Sequence, residues 1–140
     1  MKNSGSDTIS AIDQLDPQYD VVKFYIKNAN GEKLFRPFVI ADSIPHMVSL
    51  DPGKSVRGTA KVFYGAEGWS LKSPGTYQIR ATYKGLVSKP DKIFTSNIAE
   101  IKIGAPENDQ EKDQVNLIMG DEQGKLLLKG EITFQLVCRI

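Results

Sequence analysis

The sequence predicts a mainly β fold: an antiparallel β-sandwich with a short helical segment near the C-terminus. Three observations carry this. Strict apolar–polar alternation marks the stretch Thr76-Tyr77-Gln78-Ile79-Arg80-Ala81-Thr82-Tyr83, the period of a half-buried antiparallel strand. Several other short strand-like runs are separated by Gly- and Pro-containing turns. No helical pattern falls between these runs, which argues against an α/β fold. At 140 residues the chain is long enough for one domain with a real core and too short for two of ordinary size.

Residues 1–20 hold only Ile9, Ile12, Leu15 and Tyr19 as sizeable apolar side chains among polar ones, and read as a weakly ordered lead-in. No basic start followed by an apolar core of secretory type stands there, and no compartment is read from the sequence. In residues 21–27, Val22, Phe24 and Ile26 fall every second position and define a strand face. Asn30-Gly31 supplies a turn, so 21–27 should pair back onto 33–40. Pro37 has no N–H to give to a ladder, which sends that returning strand to a sheet edge. Leu50-Asp51-Pro52-Gly53 is turn chemistry, and the β-branched and aromatic residues of 55–64 read as another strand. In 76–83, Tyr77, Ile79, Ala81 and Tyr83 share the buried face. After a loop at 85–97 containing Pro90, Ala99, Ile101 and Ile103 alternate with Glu100 and Lys102 in a strand at 98–103.

Beyond Ala105-Pro106 the character changes. Acidic residues at 107–113 followed by Val115, Leu117, Ile118 and Met119 suit a helix, with Gly120 as its stop. Residues 121–129 read as a second short helix capped by Asp121; the competing assignment is a hairpin looping through Gly120 and Gly124. At the end, Ile132, Phe134, Leu136 and Cys138 alternate as in a strand. The chain thus divides into a lead-in at 1–20, a sandwich at 21–104, and a helical extension with terminal strand at 105–140.

Residues 50–103 resemble a bacterial immunoglobulin-like sandwich domain. The residues carrying the resemblance are Leu50-Asp51-Pro52-Gly53-Lys54-Ser55, Tyr64-Gly65-Ala66-Glu67-Gly68-Trp69, Ser73-Pro74-Gly75-Thr76-Tyr77 and Ser96-Asn97. Tyr77 matches the tyrosine corner of such domains, whose hydroxyl ties the turn entering a strand to nearby backbone. Ile79 stands two residues after Tyr77, where antibody domains carry a cysteine, so the resemblance is to disulfide-free relatives. It implies an architecture shared by adhesive, sugar-binding, spacing and inhibitory proteins. Leu15-Asp16-Pro17-Gln18-Tyr19 looks like an internal connection, which implies a fragment of a larger protein or a sheet completed by another segment.

Composition narrows the chemistry. Eighteen Lys and Arg against 17 Asp and Glu leave a net charge of +1, without the field that draws a chain to nucleic acid. No apolar run approaches the roughly 20 residues of a membrane helix. One cysteine, Cys138, and one histidine, His46, exclude an internal disulfide, a Cys-rich zinc site and a His cluster within one chain. Cys138 reads as a small buried hydrophobe and His46 as a surface residue. Gly53-Lys54-Ser55 imitates the end of a phosphate-binding loop, but Val48 stands where the first glycine belongs and Pro52 removes a needed N–H. Asp109, Glu111 and Asp113 cluster without the spacing of a calcium loop and read as a solvated helix start.

The candidate contact residues are therefore aromatic: Trp69, flanked by Gly68 and Ser70, and Tyr64. Trp69 can stack on a sugar or peptide, or plug the sandwich end. The expected function is that of a non-catalytic structural or adhesive module of a larger bacterial protein, with no cofactor or metal. The alternatives are a carbohydrate- or peptide-binding accessory module, or a proteinase-inhibitor-like presenter of the 85–97 loop. Partners would be proteins, the rest of the parent chain or a second copy, met through an edge strand or loop.

Overall fold

The computed structural model describes residues 1–129. Its central sheet follows from alternation. In β2 (Val22–Asn28), Val22, Phe24 and Ile26 are buried while Lys23 and Lys27 are exposed. In β7 (Gly75–Tyr83), Tyr77, Ile79, Ala81 and Tyr83 are buried and the residues between them half-buried. The two strands pair antiparallel from Val22 opposite Tyr83 to Lys27 opposite Gln78, which places both apolar sets on one face.

β3 (Gly31–Leu34) lies on the far side of β2 and forms one edge. On the other side of β7 run β8 (Phe94–Thr95) and β9 (Ala99–Ile103), end to end along the same strand. Ser96 manages the break between them. Its N–H donates to Ala81 O at 2.8 Å, its Oγ accepts from Ala81 N at 2.8 Å and donates to Asn97 O at 2.6 Å.

β1 (Ile9–Ile12) and β4 (Met47–Leu50) form a second antiparallel sheet, and β5 (Tyr64–Gly65) with β6 (Gly68–Trp69) a short hairpin. The inner face of the central sheet shares one core cluster with Ala11, Leu50, Ala60, Val62, Leu86 and Met1. Two tyrosine hydroxyls pin this arrangement. Tyr83 Oη accepts from Ile12 N at 3.1 Å and donates to Ile12 O at 3.0 Å, joining the two larger sheets. Tyr77 Oη accepts from Ser73 N at 3.0 Å and donates to Ser73 O at 2.8 Å, closing the turn that enters β7.

Two short helices follow, α1 (Asp109–Ile118) and α2 (Asp121–Lys129). Asn108 caps α1 by accepting from Glu111 N at 2.9 Å, while Glu111 accepts back from Glu107 N at 2.7 Å. The helical reading of 109–129 therefore holds and the hairpin does not. Asp121 is the first residue of α2, and Gly124 sits inside that helix.

Four expectations are corrected. The lead-in is not weakly ordered: it contributes β1, Ala11 is wholly buried, and Asn3 Nδ2 donates to Leu50 O and Asp7 O at 2.8 Å each. The hairpin turn falls on Ala29 and Asn30, with Asn28 opposite Gly31, whose φ of 122° belongs to glycine. The returning strand ends at Leu34, before Pro37, so 33–40 is mostly connection. Residues 55–64 are not a strand. Lys2 bridges Ser55 and β5 starts at Tyr64, but residues 57–62 make no backbone–backbone hydrogen bond with any described residue. Strand composition without a neighbouring strand among the described residues leaves the segment outside any described ladder. The expected terminal strand with Cys138 lies outside the described residues.

Candidate functional site

The sequence Phe63-Tyr64-Gly65-Ala66-Glu67-Gly68-Trp69 folds into the β5–β6 hairpin because Gly68, at φ 82°, lets the chain reverse after Glu67. Tyr64 faces Trp69 across it, their rings edge to face at 5.5 Å, and Phe63 lies 5.9 Å from the same indole. α2 packs on this hairpin. A Cβ on Gly124 would fall 2.3 Å from Tyr64 Cε2, so only glycine lets the helix approach so closely. The structure thus brings the two expected contact residues together. Tyr64 is buried under α2, and Trp69 is half-buried on a strand rather than displayed on a loop. Trp69 Nε1 is buried without a hydrogen-bond acceptor among the described residues.

Three grooves adjoin the hairpin, one of them, of about 680 Å³, running along Tyr64 to Trp69 toward Met119; the other two differ in character. One, of about 240 Å³, is polar, with Asn28, Lys33, Arg36, Glu67, Lys72 and Trp69 in its wall. Arg36 and Glu67 approach each other at 3.5 Å there. The other, of about 720 Å³, runs between Phe35, Phe38, Val39, Thr59, Tyr64 and Lys125. It opens onto the connection between β3 and β4, where Phe38 (54%), Val39 (60%), Ile40 (75%) and Ile44 (91%) are exposed, as is Met47 (59%) at the start of β4. Sequence reasoning missed this surface because it assigned 33–40 to a strand. The available signal was an apolar run lacking both helical and strand periodicity around Pro37 and Pro45.

A further space, about 150 Å³, lies inside the core between β7 and residues 58–62 and is lined almost wholly by apolar side chains. The hydroxyl of Ser96 that reaches it is already bonded on both sides.

A two-hydrogen-bond ion pair crosses the outer face of the central sheet. Glu32 on β3 accepts from Arg80 Nε at 3.0 Å and Arg80 Nη2 at 2.9 Å, and the guanidinium lies 4.2 Å from the Tyr25 ring centroid. The hydrogen bond from Arg80 holds the Glu32 carboxyl below its ordinary 4.5, and Glu32 holds Arg80 above its ordinary value.

The remaining expected sites resolve into local structure. His46 Nδ1 lies 2.8 Å from Asp13 Oδ1 on the surface. Gly53-Lys54-Ser55 is a turn: Lys54 N donates to Asp51 O at 3.0 Å and Gly53 has φ 79°. Asp109 pairs with Lys112 at 2.8 Å and Glu111 serves the cap of α1. The 85–97 loop is fastened at its start, where Gly85 O accepts from Ile12 N and Val87 N donates to Ser10 O.

Among the described residues no three His, Cys, Asp or Glu side chains gather as a metal site, and no helix is long and apolar enough to cross a membrane. Comparison with family models, with curated proteins and with solved structures finds no match.

Proposed function

We propose that this chain is a non-catalytic, immunoglobulin-like β-sandwich module of a larger bacterial protein, structural or adhesive in role, that holds a protein partner through the connection between β3 and β4. The Tyr77 hydroxyl bonded to both backbone groups of Ser73 supports the immunoglobulin-like reading, as does β7 crossing between β2 and β9. The observation that carries the contact role is the exposure of Phe38, Val39, Ile40 and Ile44 on one connection, continued by Met47 at the start of β4. Large apolar side chains crowded on one surface segment mark an interaction site, whereas singly scattered ones do not.

A photo-reactive benzophenone side chain in place of Ile44, in the intact parent protein, should give a cross-linked adduct. Phe38→Ser with Ile40→Ser should remove it. An adduct no stronger than that from the same group at exposed Lys89 would overturn the reading.

A carbohydrate- or peptide-binding role is the second reading, supported by the polar groove along Trp69. The chain has one tryptophan, so its fluorescence reports on the surroundings of Trp69, that groove among them. A panel of polysaccharides and peptides that leaves the emission unshifted removes this reading.

A further inference from the structure

β9 pairs with β7 on one side, and no described residue hydrogen-bonds its backbone outside that ladder. An unpaired row of N–H and C=O groups is a template for another strand unless something blunts it. Proline, an inward-pointing charge or a bulge would do so, and 99–103 has none of these. Ala99, Ile101 and Ile103 are half-buried toward the core, while Glu100 and Lys102 are exposed on the opposite face. Neither charge is in an ion pair with a described residue.

We propose that the occupant of this edge is a second copy of the chain, β9 against β9, antiparallel about a two-fold axis at Ile101. The sequence Ala-Glu-Ile-Lys-Ile selects that register. Centred on Ile101, Glu100 faces the partner's Lys102 and Lys102 faces the partner's Glu100, so two unlike pairs form at once. Ala99 meets the partner's Ile103 on the apolar face. Centring on Glu100 sets Glu100 against itself, and centring on Lys102 sets Lys102 against itself. A slip by one residue puts charges opposite apolar side chains. Of the registers centred between Glu100 and Lys102, only this one sets unlike charges together, and it joins the two central sheets into one. This edge is separate from the 38–47 surface, so the dimer stands or falls apart from the proposed function.

Sedimentation of the whole chain at low salt, over a wide concentration range, tests it. The wild-type mass should climb from one copy toward two. Glu100→Lys alone and Lys102→Glu alone each replace two unlike contacts by two like ones and should weaken association by about tenfold or more. An equimolar mixture of these two variants should regain the dimer, because each then meets an opposite charge. The double variant Glu100→Lys with Lys102→Glu should regain it by itself. Both positions are exposed, and unchanged thermal melts check that the variants fold. A wild-type mass of one copy up to about 1 mM overturns the proposal. So does a dimer that neither single variant weakens, or a mixture of the two that stays monomeric.

Discussion

The two edges of the central sheet differ in kind. β3 is four residues long and exposed at every one; the chain leaves it toward Pro37, and Glu32 is forked onto Arg80 two strands away. β9 is longer, has an apolar half-buried face, and ends at Ile103 with no proline inside it. The contrast teaches that position at a sheet margin does not make an edge finished. What finishes β3 is a short, wholly exposed span and a charge engaged across the sheet; β9 has two charges in no ion pair with a described residue.

Three substitutions separate what the edges share from what each owns. Ile79 lies opposite Ile26 on one side and Ala99 on the other, and is 2% exposed. Ile79→Ala should cost about 2–5 kcal/mol in urea unfolding and lower amide protection at both edges together. A midpoint equal to wild type would break the assignment of a shared core face. Ser96→Ala leaves Ala81 N–H buried without its acceptor and should cost about 1–3 kcal/mol. Hydrogen exchange should rise along β8 and β9 while β3 stays unchanged; equal loosening of both margins would contradict their independence.

Glu32→Gln should have the smallest effect, confined to β3. Glu32 titrates lower in the folded chain than in the unfolded one, so its contribution is complete above about pH 4.5 and is lost as pH falls through the depressed folded value. Wild type should therefore shed a small increment of stability on acidification that the Gln variant lacks. Because both side chains are partly exposed, raised salt should shrink the difference. Parallel pH profiles for the two proteins would show that the pair is not felt.

β2, β7 and β9 were legible because half-buried strands write their burial directly into alternation. β1 was not, since its most buried residue is Ala11, too small to register as a hydrophobic signal. Residues 55–64 misled for the opposite reason: their composition suits a strand, but a ladder also needs a neighbour, and that depends on distant chain. The cap at Asn108 and Glu111 was present in the sequence as an Asn-x-x-Glu pattern, and only the acidity around it was used. At the hairpin, Tyr64 and Trp69 were visible as aromatics, but their burial hinges on Gly124, read as a weakness in α2 when its missing side chain makes room for Tyr64. The exposed apolar run at 38–47 has no period, so no pattern announces it.

The fork between Glu32 and Arg80 has a meaning apart from its energy. A strand whose residues are all exposed has no buried face to reject a misaligned neighbour, and β3 is such a strand. Sliding it by two residues would keep every side chain on its proper side, yet carry Glu32 about 7 Å from Arg80. The pair thus adds a second check on the alignment that the two-residue turn sets, and it reaches across β2 to tie β3 to β7. Acid would remove this check and leave the alignment to the two-residue turn at Ala29 and Asn30.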